Sequence, residues 1–212
     1  MANATMSSDF ESLADKFELY HANTLSVALH LTTTPLVLLC GLCLLNRATK
    51  STLASPVLCI LYASSLFATI PNGLAGHCVV MLIGLACLSL YCEFDAVTSV
   101  VLMAVGYIGQ ELAHVGTSEE TYMSSYDAAG ANWSELFFEH VYYLLPLVLT
   151  TVAPMLGSTG LLAIAVTPAL AVCLLHSLHS EGGVFPWAFG TAHLFLSIDT
   201  ARVAPTPRAA HY

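Results

Sequence analysis

The chain has 212 residues, of which 57% are hydrophobic and only 9% charged, with a mean hydropathy of +0.75 and a formal net charge of −9. A soluble domain carries about a quarter charged residues, so this composition excludes an ordinary soluble globule and points to an integral membrane protein. Five Lys or Arg residues in the whole chain leave no basic surface to grip a nucleic acid, and the length suits one all-α, polytopic transmembrane helical bundle.

The acidic start, MANATMSSDFESLADKFELY, lacks the basic flank and early apolar run of a signal peptide. Membrane insertion is therefore expected to rely on internal helices. Residues 1–8 read as disordered, residues 9–200 as a single membrane helical domain and residues 201–212 as a disordered tail. Within 9–20, Phe10, Leu13, Phe17 and Tyr20 recur at spacings of three and four. That pattern predicts an amphipathic helix on the membrane surface, with Asp9 as its N-cap.

Residues 25–45 form the first apolar segment, interrupted by Thr32, Thr33, Thr34 and Pro35. Proline removes a backbone donor, so either a kinked span or a broken, partly re-entrant pair is expected. Residues 53–70 and 76–91 follow, and then 97–108, which runs on into Gln110, Glu111 and His114. A polar connection over 115–134 carries Tyr122, Met123, Tyr126 and Trp133, residues suited to the interface or to covering an entrance. Two more apolar segments lie at 136–156 and 161–175, and a shorter one at 184–198. Each approaches or reaches the roughly 20 residues that cross a hydrocarbon core, giving five to seven candidate spans. Arg47, Lys50, Arg202 and Arg208 favour the cytoplasm but are too few to fix the topology. The seven cysteines lie in or beside apolar runs. Cys40 and Cys43 have the spacing of a metal or redox pair, yet no second pair follows, and small buried residues are the plainer reading.

Ionisable residues inside a bilayer are costly and tend to mark function. Three groupings stand out. His21 and Asn23 precede the first apolar run and His30 lies within it. On an unbroken helix, nine residues turn through about 900°, so His21 and His30 would face opposite sides. They share a site only if the chain bends between them, and Asn23 suits the cap of a new helix. Equally, His21 suits the lipid interface and His30 a bond to a backbone carbonyl. Gln110, Glu111 and His114 fall near one helical face, and Glu-x-x-His is a spacing used by di-iron carboxylate bundles. A polar helix end facing water has the same pattern. Glu135 and Glu139 share a face, with His140 turned away, before the next apolar run; a solvated helix start has that composition too. His176 and His179 form a weaker pair at a helix end. Collectively, imidazoles and carboxylates at several helix ends suit a non-haem iron site with open positions.

Tyr20-His21-Ala22-Asn23, followed by His30 and Pro35, and then Gln110 four residues before His114 with Glu119 beyond it, resemble the motifs of the Mpo1-like membrane proteins, the yeast 2-hydroxy fatty acid dioxygenases. The resemblance covers residues 10–150. It departs where Gln110-Glu111-Leu112-Ala113-His114 replaces the family's Gln-Phe-Ile-Gly-His wording and where a basic, proline-rich stretch gives way to residues 120–126. The resemblance implies an endoplasmic reticulum enzyme that uses Fe(II) and O₂ to shorten long-chain 2-hydroxy fatty acids by one carbon. On that basis His21, His30 and His114 are the expected iron ligands. His140, Glu111 and Glu139 are further ligands or residues that orient them, and Asn23 and Gln110 hold the substrate head or a histidine tautomer.

Two other readings compete. A di-iron lipid hydroxylase or desaturase needs more ligands than one Glu-x-x-His supplies. A non-catalytic transporter or scaffold predicts histidines scattered along a pore, whereas the dioxygenase predicts that His21, His30 and His114 converge.

Overall fold

The computed structural model describes residues 2–92, 94–121 and 141–179, and among these there are six helices and no strand. They are α1 (Ala2–Leu19), α2 (Thr24–Thr49), α3 (Ala54–Thr69), α4 (Asn72–Tyr91), α5 (Ala96–Thr117) and α6 (Leu144–His179). Of these, α2, α4, α5 and α6 are long and apolar enough to cross a membrane, and α3 is a shorter apolar helix. The protein is an all-α polytopic membrane bundle. Four such helices are fewer than the segments counted along the sequence, because α3 is short, the 136–156 and 161–175 segments meet in α6, and 184–198 lies outside the described residues.

Helix α1 begins at Ala2 rather than at Asp9, so residues 2–8 are helical and Asp9 is interior. Its apolar stripe does not simply lie on the bilayer. Phe10 and Phe17 are buried in the core, Phe10 against the Tyr143 ring at 5.6 Å. The stripe that suits a lipid surface suits a protein groove equally well.

Pro35 does not break α2, which is continuous from Thr24 to Thr49. The break falls earlier, between α1 and α2. The Asn23 side chain accepts from the Leu25 backbone N–H at 2.9 Å and caps α2. Helix α6 is interrupted at Gly157, whose φ of 64° and ψ of −179° lie far from helical values. A side chain is strained there, and this glycine divides the two apolar segments read from the sequence.

Close helix approach depends on small residues, as is usual in membranes. A Cβ on Gly106 of α5 would stand 2.6 Å from Val37 Cγ2 of α2, and one on Gly84 of α4 would stand 2.8 Å from the Ala169 backbone nitrogen of α6. At the far end of α2, the Asn46 amide donates to Ser89 Oγ (3.2 Å) and its carbonyl accepts from Ser55 N (3.0 Å), knitting α2, α3 and α4. All seven cysteines are free, with Cys40, Cys43, Cys59 and Cys78 buried in the bundle.

Candidate metal centre

Helices α2 and α5 run antiparallel, in two rungs. On the lower rung Gln110 donates from Nε2 to Thr34 Oγ1 at 3.1 Å, both side chains buried. One turn further, at i−4 on α2 and i+4 on α5, His30 meets His114, with ring centroids 5.1 Å apart. The turn between α1 and α2 then brings in His21, 4.5 Å from the His30 ring and 4.8 Å from the His114 ring. The three imidazoles are 2%, 4% and 3% exposed. One nitrogen from each lies within 4.8 Å of the other two.

Hydrogen bonds fix the tautomers of two of these rings. His21 Nδ1 is 2.9 Å from the Phe17 carbonyl, and His30 Nδ1 is 2.9 Å from the Ser26 carbonyl. A carbonyl can only accept, so each Nδ1 carries the proton. That leaves a lone pair on each Nε2, and these two atoms face each other across 3.3 Å. In neutral rings both are acceptors and neither can donate. A shared proton or a cation between them removes the conflict. His114 adds a third ring to this group, and its Nδ1 is buried with no hydrogen-bond partner. A buried polar atom left so costs about 1–3 kcal/mol, and three such imidazoles, one nitrogen of each within 4.8 Å of the others, could hold a metal ion. Backbone carbonyls orienting the far nitrogen of a ligating histidine are the usual support for such a site.

The surroundings are apolar and tight. The Phe17 ring stacks on His21 at 3.8 Å and 13°. Phe17, Val27, Val148 and Thr151 wall His21 and His30.

Negative charge comes from the end of α5. Ser118, with φ of 57°, makes a left-handed C-terminal turn in which Ser118 N donates to the Val115 carbonyl and Glu119 N to the His114 carbonyl at 3.0 Å. The turn carries the Glu119 carboxylate to the start of α2. There Asn23 N donates to Oε1 at 2.6 Å and Thr117 Oγ1 donates to Oε2 at 2.9 Å. Burial pushes the Glu119 carboxyl up, but these hydrogen bonds outweigh it and hold its pKa below the usual value. A carboxylate at a helix N-terminus is further favoured by the helix dipole. Glu119 and the half-buried Glu111 are the carboxylates whose charge acts on His114.

The structure therefore brings together His21, His30 and His114, with Gln110 one turn away. The Asn23 side-chain oxygen is committed to capping α2. Glu111 is not in the group of ligand atoms. Glu139 and His140 lie outside the described residues. Thr34, Phe17 and Ser26 were not singled out for the site in sequence. The available signal was position, since Thr34 and Ser26 stand one turn either side of His30 and Phe17 one turn before His21.

Glu119→Ala is expected to weaken metal binding about 10- to 100-fold, the range typical of groups that orient ligands, and to speed hydrogen exchange at the Asn23 amide. Chelator competition reads the first effect; unchanged affinity would show that the α5–α2 tie does not position His114.

Comparison of the chain with family models, with curated proteins and with solved structures finds no match.

Proposed function

We propose that the protein is an Mpo1-like, Fe(II)-dependent membrane dioxygenase of the endoplasmic reticulum that shortens long-chain 2-hydroxy fatty acids by one carbon. The observation that carries this reading is the convergence of His21, His30 and His114 within 4.8 Å. Three neutral imidazoles suit Fe(II) and leave coordination positions open. A transporter predicts ionisable groups strung along a path, and these three meet at one end of α2 and α5. A di-iron hydroxylase requires bridging carboxylates, and among the described residues the cluster contains none.

In this reading His21 and His30 hold the metal through Nε2, each oriented by its Nδ1–H bond to a backbone carbonyl. His114 supplies the third nitrogen from α5. The Thr34–Gln110 rung keeps α2 and α5 in the register that the three ligands need. Phe17, Val27 and Val148 exclude water from the ligand face, and Glu111 and Glu119 offset part of the added positive charge. When bound, the iron supplies dioxygen reactivity and a chelating centre for the substrate's adjacent carboxylate and hydroxyl. The substrate's tail arrives from the bilayer, alongside the exposed apolar residues of α5 such as Val105, Ile108 and Leu112.

Purified, anaerobically iron-loaded protein is expected to consume O₂ on addition of 2-hydroxypalmitate and to release a product one carbon shorter. Palmitate, which lacks the chelating hydroxyl, is expected to give no uptake. Iron-loaded, folded protein that ignores 2-hydroxy acids of every chain length would refute the reaction, leaving the metal centre to be explained otherwise.

A further inference from the structure

A second polar site lies at the opposite end of α2. Arg47 is 17 residues beyond His30, about 25 Å along a helix axis. There a cavity of about 230 Å³ opens between the ends of α2 and α4 and the start of α3. Its polar lining is Cys43, Asn46, Thr52 and Ser89, and Leu90 and Phe94 add an apolar wall. Arg47 is the charged residue among those that line it.

The polar floor is already satisfied internally. Asn46 bonds Ser89 and Ser55, Ser89 donates to the Ala86 carbonyl at 2.7 Å, and Cys43 Sγ donates to the Cys92 carbonyl at 3.2 Å. This floor carries no formal charge. Arg47 differs, because among the described residues no carboxylate lies within salt-bridge distance of its guanidinium. Asp95 is the acid that feels its charge, yet that carboxylate is committed to Thr98, accepting from N at 2.8 Å and Oγ1 at 3.0 Å. Helix ends do not set the sign of the site: α2 and α4 finish there and α3 and α5 start there, so their partial charges offset. The guanidinium sets it, and its planar fork matches phosphate oxygens.

We propose that this cavity binds a phosphate group, carried by a membrane lipid with an anionic headgroup. Three features select that ligand class. The cavity sits at the boundary end of four apolar helices, where headgroups lie. Its volume suits a headgroup rather than a whole drug-sized molecule, for which pockets run to roughly 300–1,000 Å³. Leu90 of its apolar wall is exposed, as is Leu53, next in sequence to Thr52, and both suit contact with acyl chains. Basic pockets between membrane helices are known lipid-headgroup sites. The site lies apart from the histidine cluster and does not depend on the function assigned to it.

The test uses the full-length, detergent-purified protein and three probes: dioctanoyl phosphatidylglycerol, dioctanoyl phosphatidylcholine and inorganic phosphate. Native mass spectrometry and thermal shift read binding. Phosphatidylglycerol is expected to bind and to raise the melting temperature, phosphatidylcholine less so. Arg47→Gln is expected to weaken phosphatidylglycerol binding about tenfold or more, as loss of a charge-assisted bond does. Thr52→Phe, which fills the cavity without removing charge, is expected to weaken it too. Lys50→Gln, beside the cavity but not lining it, is expected to leave it within about twofold, as for a merely surface-exposed charge. Inorganic phosphate binding as tightly as the lipid would keep the phosphate site and assign its source to solution. Equal losses in Arg47→Gln and Lys50→Gln, or no loss in Arg47→Gln and Thr52→Phe, would overturn the proposal.

Discussion

Oxygen uptake with a long-chain 2-hydroxy acid is expected to fall by more than about 100-fold in His30→Ala, beyond the 10- to 100-fold losses seen when a residue that only orients a ligand is changed. His30 approaches His21 to 3.3 Å between Nε2 atoms and meets the His114 ring at 5.1 Å. Without it, two imidazoles from α1–α2 and α5 remain, too few to hold a metal against water. The fold is expected to survive. Helix α2 keeps its Asn23 cap, the Thr34–Gln110 bond and the close approach of Val37 to Gly106. His30→Gln, which preserves more of the volume, separates loss of metal from loss of packing. A folded His30→Ala protein whose uptake stays within tenfold of wild type would remove His30 from the reaction.

Gly84→Ala is expected to destabilise the bundle by about 1–3 kcal/mol, the usual cost of overpacking. The new methyl would stand 2.8 Å from the Ala169 backbone nitrogen and 3.0 Å from Pro168 Cβ. Neither neighbour is the flexible end of a side chain, so α4 and α6 must part. Pro168 stiffens α6 where it would have to yield. Gly41→Ala is the control, since nothing lies within 4 Å of its added Cβ. The melting temperature should drop in the first variant and hold in the second. Equal stability of the two would mean that the α4–α6 approach is looser than described. Iron content should follow the folded fraction in both, because Gly84 does not touch the histidine cluster.

The coupling between fold and site explains what could be read from the chain and what could not. Apolar runs bounded by Asn23, by Pro71 and by Asp95 mark α2, α4 and α5 without any knowledge of packing. His21, His30 and His114 are also visible, because imidazoles are conspicuous beside and within apolar segments. The bend that joins His21 to His30 has a local cause, the Asn23 cap, and is one of the two readings the sequence leaves open there. The partnership of Gln110 with Thr34 was not, since it depends on the antiparallel register of α2 and α5, 76 residues apart in sequence. Register in turn rests on Gly106 meeting Val37, a long-range fit with no local pattern. Asn23 and Glu111 had the right chemistry in the right neighbourhood, yet one is committed to a cap and the other lies outside the ligand group. Helix α1 departs from the sequence expectation for a related reason. Its spacing gives a stripe, and only packing shows that the stripe meets α3 and α6. Of the two outcomes open at Pro35, a single span holds, and the division expected between 156 and 161 falls on a glycine. Pro35 is carried within a continuous α2, whereas Gly157 interrupts α6.

The most direct measurement is the iron content of detergent-purified protein after anaerobic loading with Fe(II), wild type beside His21→Ala, His30→Ala and His114→Ala. One iron per wild-type chain and almost none in each folded variant is the result that the three-histidine centre predicts. Wild-type protein that retains no iron, or iron that stays bound in all three variants, would contradict it.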